Sequence, residues 1–493
     1  MSQSRLASCI PLPLDNKILT NIVDKAKDWA LMHGVGMRDK ANFSKDTIQT
    51  APFVLLPSPF PRSEFTKAVD LQPILNELMH KVAHDDEFLE KTLQNALQVD
   101  EFTAKLYDIW IKVREEGITQ PISLGMLRSD IMLESRCPHT DNQCAKHTPY
   151  CSWKQVEINS IACGFGHLGP VSREIQSYIL RQLGHGELIK NMPENRALSG
   201  LCSGIIEAYD LFGVPSAVVI VVVEEVPYNI CDQRFHEFEI AEKRPDIMTY
   251  RKTLGEIYEE TVLNDKKQLM LDGQPVAVVY YRSGYEPNQF PSQKEWDARL
   301  KVERSSAIKC PSIQYQLAGT KKVQQALAAH GALERFMSDG EVRARVRDIF
   351  TGLYSLDFDD NGEKAVEMAI ADAERFVLKP QREGGGNNLY GADVKEALTK
   401  MRHSRERAAY ILMERILPPL ISGYVIRPGG AIPPSLCDLV SELGIFGVII
   451  GTKEKIYSNR QVGHMLRTKL ADANEGGVAA GLGALDSPYM LDL

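Results

Sequence analysis

Hydrophobic positions along the chain follow two periods in turn. Over residues 16–35, Ile18, Leu19, Ile22, Val23, Ala26 and Trp29 recur at helical spacing, and Gly34 marks the end. PFVLLPSPFP (52–61) reads as a short strand entering a proline-rich loop, and amphipathic helices follow at 72–84, 86–97 and 101–116. Their apolar stripes are assigned to a core. From Ile122 the texture changes. ISLGMLRSDIML (122–133) and KQVEINSIAC (154–163) predict strands; 172–184 and 203–213 predict helices, each ending at a glycine suited to a C-cap. A strand–helix–strand region runs from SAVVIVVVEE (216–225) to VAVVYYRSGY (276–285). Helices near 320–330 and 341–354, a strand at 375–379, a glycine loop at 384–386 and a helix passing into a strand over 398–416 follow. Strands alternating with helices predict an α/β fold.

Composition narrows the class. A length of 493 residues implies about two to four domains. With 57 Lys and Arg against 65 Asp and Glu, the net charge of -8 gives no general pull towards nucleic acid or anionic membrane. The longest apolar run, Ala217 to Val223, falls far short of the ~20 residues that cross a bilayer. The first residues lack a signal-peptide core, and nine scattered cysteines fit a reducing compartment, so the expected location is cytoplasmic. A soluble, acidic, multidomain enzyme is the starting class.

Several constellations could carry chemistry. In VLKPQREGGGNNLYG (377–391), three glycines free the backbone to aim N–H groups at an anion, while Lys379, Arg382 and Glu383 supply charges suited to a polyphosphate and its metal. No G-K-[ST] follows, so this is not a Walker A loop. In VEIN, strand alternation puts Glu157 and Asn159 on one face as hard-oxygen ligands and turns Val156 and Ile158 away. Lys321 opens a helix in LAGTKKVQQAL, and Arg282 and Tyr285 sit at a strand end. Arg467 and Lys469 precede EGGVAAGLGA, a small-residue loop able to close over a ligand. GFGHLG (164–169) matches the dinucleotide fingerprint, with Glu187 at about its acidic spacing, and makes an oxidoreductase the rival reading. Against it, Pro170 and Ser172 place the helix start after the last glycine. Cys137, His139, Cys144, His147 and Cys151 match no standard zinc spacing and read as a polar loop.

Taken together, KPQREGGGNNLYG, ERSSAIKCPSIQYQLAGTKKVQQ, SELGIFG, VGHMLRTK and GGVAAG resemble eukaryotic glutathione synthetases of the ATP-grasp class, over nearly the whole chain. The resemblance implies an α/β (α+β) ATP-grasp body with a helical N-terminal part (1–215), an inserted α/β substrate-binding domain (216–318), and a body with glycine-rich lid and Ala/Gly-rich loop (319–493). It implies a cytoplasmic homodimer joining γ-glutamylcysteine to glycine with ATP and Mg²⁺ through an acyl phosphate. Glu157, Asn159 and Glu383 become the magnesium set. Lys321, Lys379, Gln381, Arg382, Glu383, Gly384, Gly385, Gly386, Asn387, Asn388 and Tyr390 surround the phosphates, and Met413, Glu414, Arg415 and Ile416 pass the base along a strand edge. Glu442, Lys469 and Glu475 complete the nucleotide contacts. Arg128, Ile161, Ala162, Cys163, Gly164, Asn229, Gln233, Arg282, Ser283, Gly284 and Tyr285 meet the peptide substrate; Arg467, Val478 and Ala479 meet its glycine end. Arg128 and Arg467 are the cations assigned to carboxylates and the tetrahedral intermediate. Cys163 and Gly164 stand where the family has small, often hydroxylated residues. Ala479 and Ala480 favour glycine over β-alanine; a related ligase with another amino-acid acceptor is the nearer alternative.

Overall fold

The structure, a computed structural model, describes residues 4–136, 149–382, 386–474, 478 and 483–493. Its largest sheet has seven strands, in the order Ile421–Ile426, Phe53–Val54, Gly483–Asp486, Ile456–Leu470, Leu436–Gly451, Ser123–Glu134 and Ser152–Asn159. At its centre is the long antiparallel hairpin Leu436–Gly451/Ile456–Leu470, which the sequence pattern did not reveal. The cause is burial on both faces: Leu443 to Gly451 are all buried, so no polar–apolar alternation exists to be read. Helices Arg62–Ala83 and Ala197–Phe212 cover opposite faces. Gly447 lies so close to the first that an added Cβ would sit 2.0 Å from Asn76 Oδ1, while the adjacent Val448 meets Gly204 on the second.

A second sheet is parallel through Met248–Lys252, Val218–Val222, Gln274–Tyr281 and Ile308–Cys310, with Leu269–Leu271 and Thr261–Leu263 added antiparallel. A third, Leu353–Ser355, Tyr410–Glu414, Phe376–Pro380 and Leu389–Tyr390, is antiparallel throughout. Helices Asp360–Ala371 and Ala392–Met401 back it around a core of Val366, Phe376, Leu378, Val394, Leu398 and Leu412. Mixed helix and sheet agree with the α/β expectation.

Local signals mostly translate directly. Asp15 caps the helix Asn16–Met32 by accepting from Lys17 and Ile18 N–H, and Gly34 leaves it at φ +74°. Its buried face is Leu19, Ile22, Val23, Ala26 and Ala30; Ile18, expected in that stripe, is exposed. The helix expected from 72 begins at Arg62 and carries Pro73 inside it. Burial of Ala68, Leu71, Leu75, Leu78 and Met79 outweighs the ~3 kcal/mol that an interior proline costs. The proline-rich loop contains a strand, Ser58–Pro61, paired in parallel with Pro488–Leu491. Cys9, Cys202, Cys231, Cys310 and Cys437 are free thiols, but Cys151 is disulfide-bonded, which corrects the expectation of a wholly reduced set. The other Cys/His candidates of that loop lie outside the described residues. No helix among the described residues is long and apolar enough to cross a membrane.

Candidate active site

One cleft of about 690 Å³ gathers residues from all three sheets. Its floor begins at the edge strand Ser152–Asn159. Asp130 pairs with Glu157 and Ile131 with Gln155, so Val156 is the extra residue of a β-bulge. Glu157 and Asn159 face the cleft as expected and Ile158 turns into the core, but the bulge brings Val156 to the cleft as well, against the alternation argument. The bulged carbonyl of Val156 accepts from Lys379 Nζ at 3.0 Å.

The outer edge of this strand is completed by a side chain. Gln324 Oε1 accepts the Ile158 N–H at 3.0 Å, and its Nε2 donates to Ile158 O at 3.2 Å. That docks helix Lys321–Leu327 on the strand and places Lys321 Nζ 3.0 Å from Glu157 Oε2, with Lys379 Nζ 3.9 Å away. Burial would raise the Glu157 carboxyl, but Lys321, Lys379 and Arg467 hold it well below the usual carboxylate range. Glu157 is therefore an anion at neutral pH. Gln381, read from sequence as a phosphate contact, is buried off the cleft and accepts the Lys322 N–H at 3.0 Å, bracing the same helix start.

Asp130, Arg128, Glu442 and Arg467 form the next layer. Arg128 makes a bidentate pair with Asp130 at 2.7 and 2.8 Å and donates to Gly164 O at 3.1 Å. Asn159 Nδ2 donates to Asp130 Oδ2 at 3.0 Å, which leaves the Asn159 amide oxygen for the cleft. Arg467 lies 2.5 Å from Glu442, its partner in register, and 3.6 Å from Asp130, while its buried Nε has no hydrogen-bond partner among the described residues. Most of the charge of Arg128 is thus already countered by Asp130, and Arg467 is the cation with donor capacity in reserve.

The opposite end is built on the parallel sheet. Arg282 NH2 donates to Asp232 Oδ2 at 2.7 Å, and its buried Nε and NH1 have no hydrogen-bond partner among the described residues. Asp232 also accepts the N–H groups of Phe165, His167 and Leu168 at 2.9, 3.0 and 3.2 Å. Burial would raise its carboxyl, but Arg282, His236 and these donors hold it at about 2. The stretch bordering the cleft is conformationally unusual, with Ala162 at φ +51° and Phe165 at φ +75°. Cys163 turns inward and donates to Met126 O at 3.1 Å, so a ligand there would meet main chain rather than thiol. Gln233 gives its carbonyl oxygen to Arg251 NH2 at 2.7 Å, leaving its amide N–H groups for the cleft.

Helix Leu168–Gln182 starts inside GFGHLG, not after it as Pro170 and Ser172 suggested. The dinucleotide reading fails on other grounds: the preceding strand is an antiparallel edge strand, and Asp232 already occupies the N–H groups that a pyrophosphate would need.

Arg128, Glu157, Asn159, Ile161, Ala162, Gly164, Asn229, Gln233, Arg282, Tyr285, Lys321, Lys379, Arg382, Asn388, Tyr390, Met413 to Ile416, Glu442, Arg467, Lys469 and Val478 all line the cleft. Cys163, Ser283, Gly284, Gln381, Gly386 and Asn387 do not. Glu383, Gly384, Gly385, Glu475 and Ala479 lie outside the described residues. The strand Tyr410–Glu414 is interior to its sheet, so its C-terminal end meets the cleft rather than an edge as expected. Lys40, Phe165, Glu224, Tyr228, Glu286 and Asn474 also line the cleft and were missed, since each stands in a loop or turn without local pattern.

A family model described as "Eukaryotic glutathione synthase, ATP binding domain" matches residues 16–490. The chain is 42% identical over 479 residues to glutathione synthetase of Xenopus laevis, covering 97% of this chain and 98% of that one. It is 42% identical over 477 residues to the Homo sapiens enzyme, covering 96% and 98%. It is 38% identical over 487 residues to chloroplastic glutathione synthetase of Arabidopsis thaliana, covering 97% and 86%. In fold it resembles a glutathione synthetase-like effector from Globodera pallida, with a TM-score of 0.77, 24% identity, and coverage of 98% of this chain and 100% of that one.

Proposed function

The chain belongs to the eukaryotic glutathione synthase family, and on that premise we propose that it closes the final amide bond of glutathione, joining γ-glutamylcysteine to glycine. It is an ATP-dependent ligase. The observation that carries the reading is the division of one cleft: Glu157 between Lys321 and Lys379 at one end, Arg282 with Asn229 and Gln233 at the other. Arg128 touches both halves, through Asp130 and through Gly164 O.

In this mechanism Lys321 and Lys379 neutralise the ATP phosphates while Met413 to Ile416 flank the base. The cysteinyl carboxylate takes the terminal phosphoryl group of ATP, releasing ADP and giving an acyl phosphate; the glycine amine attacks its carbonyl carbon, and phosphate and the amine proton leave. Positioning and charge neutralisation supply most of the rate. Arg467, with its unused Nε, is the cation for the charge that develops on the carbonyl oxygen. The donor chemistry fits a hard cation: the Glu157 carboxylate is ionised, and Asn159 turns its amide oxygen to the cleft because its nitrogen is held by Asp130. Glu157 and Asn159, together with Glu383, would hold Mg²⁺, which when bound adds positive charge beside the transferring phosphoryl group. Glycine is taken as the acceptor, with Val478 and Ala479 at that end of the product, while Glu475 completes the nucleotide contacts.

The proposal includes the division at 215/216 and 318/319, supported by the parallel sheet built wholly between Val218 and Cys310. It also includes a homodimer, supported by the exposed Leu31, Met32 and Phe238 near the turn after the first helix, where Gly34 packs against Phe235 of helix Ile230–Lys243. A cytoplasmic location rests on free thiols such as Cys9, Cys202, Cys231, Cys310 and Cys437 among the described residues, with Cys151 as the exception. The test is phosphate release from ATP and Mg²⁺ with γ-glutamylcysteine, adding glycine or β-alanine. Glycine-dependent turnover is expected; β-alanine preference would move the chain to the other acceptor class, and no acceptor dependence would remove the reading.

A further inference from the structure

We propose that Glu224 is a specificity-determining residue that reads the α-ammonium of the γ-glutamyl head of the substrate, while Arg282 reads the α-carboxylate of the same head. The proposal rests on the ligase reading above and goes beyond it, because Glu224 is not among the residues that the family pattern carries onto this chain.

Two neighbouring parallel strands set the geometry. Val218–Val222 and Gln274–Tyr281 run side by side, and the Arg282 N–H donates to Val222 O at 2.8 Å just beyond their paired ends. Both strands thus deliver their next side chains to the carboxyl end of the sheet, where ligands of open α/β sheets bind. Arg282 and Glu224 both line the cleft. They do not neutralise each other. Arg282 is paired with Asp232, and no lysine or arginine nitrogen lies within 4.0 Å of the Glu224 carboxylate among the described residues. Among the described residues Glu224 has two long contacts, both on Oε1: the Tyr285 hydroxyl at 3.4 Å and Gln289 Nε2 at 3.3 Å. Burial raises its carboxyl and Glu286 adds to it, while Lys40, Tyr285 and Arg282 oppose without reversing the direction. Arg282 contributes the complementary shortage, with Nε and NH1 both buried and without hydrogen bonds among the described residues.

An anion lacking a cation and a cation with unused donors, on adjacent strand ends in one cleft, match a zwitterion. The γ-glutamyl head is one: its α-ammonium and α-carboxylate are both free because the amide is made through the side chain. An α-linked glutamyl group has no free α-carboxylate. The pair would therefore read the linkage as well as the residue. Glu286 also lines the cleft, but its carboxylate is engaged locally, accepting the Gln289 N–H. Glu225 is exposed and does not line the cleft. That leaves Glu224.

The experiment compares γ-glutamylcysteine with glutarylcysteine, the same compound without the amino group, in glycine-dependent phosphate release. The wild-type protein is expected to prefer γ-glutamylcysteine by about 10- to 100-fold in kcat/KM, as for one charge-assisted contact. Glu224→Gln should bring that preference to within about threefold by raising KM for γ-glutamylcysteine, leaving KM for ATP and the Tm unchanged; Glu224→Asp should restore part of it. An unchanged preference in Glu224→Gln, or a collapse in Glu286→Gln instead, overturns the assignment. Wild-type protein inactive on γ-glutamylcysteine removes the ligase reading itself, a result distinct from turnover without discrimination.

Discussion

Gln324 does for Ile158 what a neighbouring strand would do, accepting its N–H at 3.0 Å and donating to its C=O at 3.2 Å. The same side chain also donates to Gly319 O at 2.9 Å, so one buried amide ties the edge of the largest sheet to the turn before Lys321. Gln324→Leu leaves the Ile158 N–H and C=O buried and unpaired, an expected loss of about 1–3 kcal/mol. It also releases the helix that sets Lys321 against Glu157. Chemical denaturation should therefore show a lower midpoint, and KM for ATP should rise. Gln324→Glu, which keeps the acceptor and loses the donor, should fall between the two. Equal stability of wild type and Gln324→Leu would refute the role.

Glu157 is the carboxylate on which Lys321 and Lys379 converge, and Glu157→Gln removes its charge at nearly constant shape. The two ammonium groups then lose their shared counter-ion, and the magnesium set loses its ionised member. Turnover is expected to drop by roughly 10²- to 10³-fold, the scale seen when one preorganised electrostatic group is lost. The Mg²⁺ concentration for half-maximal rate should rise with it. Turnover within a factor of two of wild type would show that the metal and phosphates are held elsewhere.

Much of this site was legible because its chemistry is written in local runs. VEIN exposed Glu157 and Asn159 through strand alternation, and Lys321 and Lys379 stand at predictable helix and strand positions. What escaped depends on contacts between distant segments. The bulge that brings Val156 to the cleft is a matter of register with Ser123–Glu134, and registers are not local properties. Asp232 carries no local mark, and only the fold brings Arg282 onto it, whereas Arg128 and Asp130 share a strand face at i and i+2 and pair locally. The strand Leu436–Gly451 was hidden over Leu443 to Gly451 by its own burial, since a strand covered on both faces has lost the period that announces it.

Gly444 is fixed by what lies over it. A Cβ at that position would stand 2.7 Å from Met465 Cε, 2.8 Å from Asp130 Oδ1 and 2.9 Å from Arg128 Cδ. The bare backbone lets the bidentate Arg128–Asp130 pair lie flat across the strand Leu436–Gly451. Gly444→Ala is expected to cost about 1–3 kcal/mol through overpacking. Because Arg128 also holds Gly164 O, the displacement should raise KM for γ-glutamylcysteine more than KM for ATP. Equal changes in the two constants would mean that the pair does not couple to the substrate end.

Acid should destabilise the protein between pH 6.5 and 4 through four buried histidines. Burial lowers His80, His167 and His236 to about 4 and His464 to about 3, with His84, Arg282 and Arg173 adding repulsion at His80, His236 and His464 and Asp232 opposing at His167. Among the described residues, the buried Nε2 of His236 and His464 has no hydrogen-bond partner, so a second N–H there would go unmet. An unfolded histidine titrates near 6.5, so in this window the unfolded chain binds protons that the folded chain refuses, and stability falls as pH falls. Three carboxyls work the other way. Asp486, raised by burial to about 6, and Asp130 and Glu224, also raised by burial, take up protons more readily folded than unfolded. The net uptake on unfolding is therefore expected at roughly one to three protons near pH 5 rather than four. Urea denaturation at half-unit steps from pH 7 to 4 measures it directly from the slope of stability against pH. A flat or rising stability on acidification would mean that the raised carboxyls, not the histidines, set the proton balance.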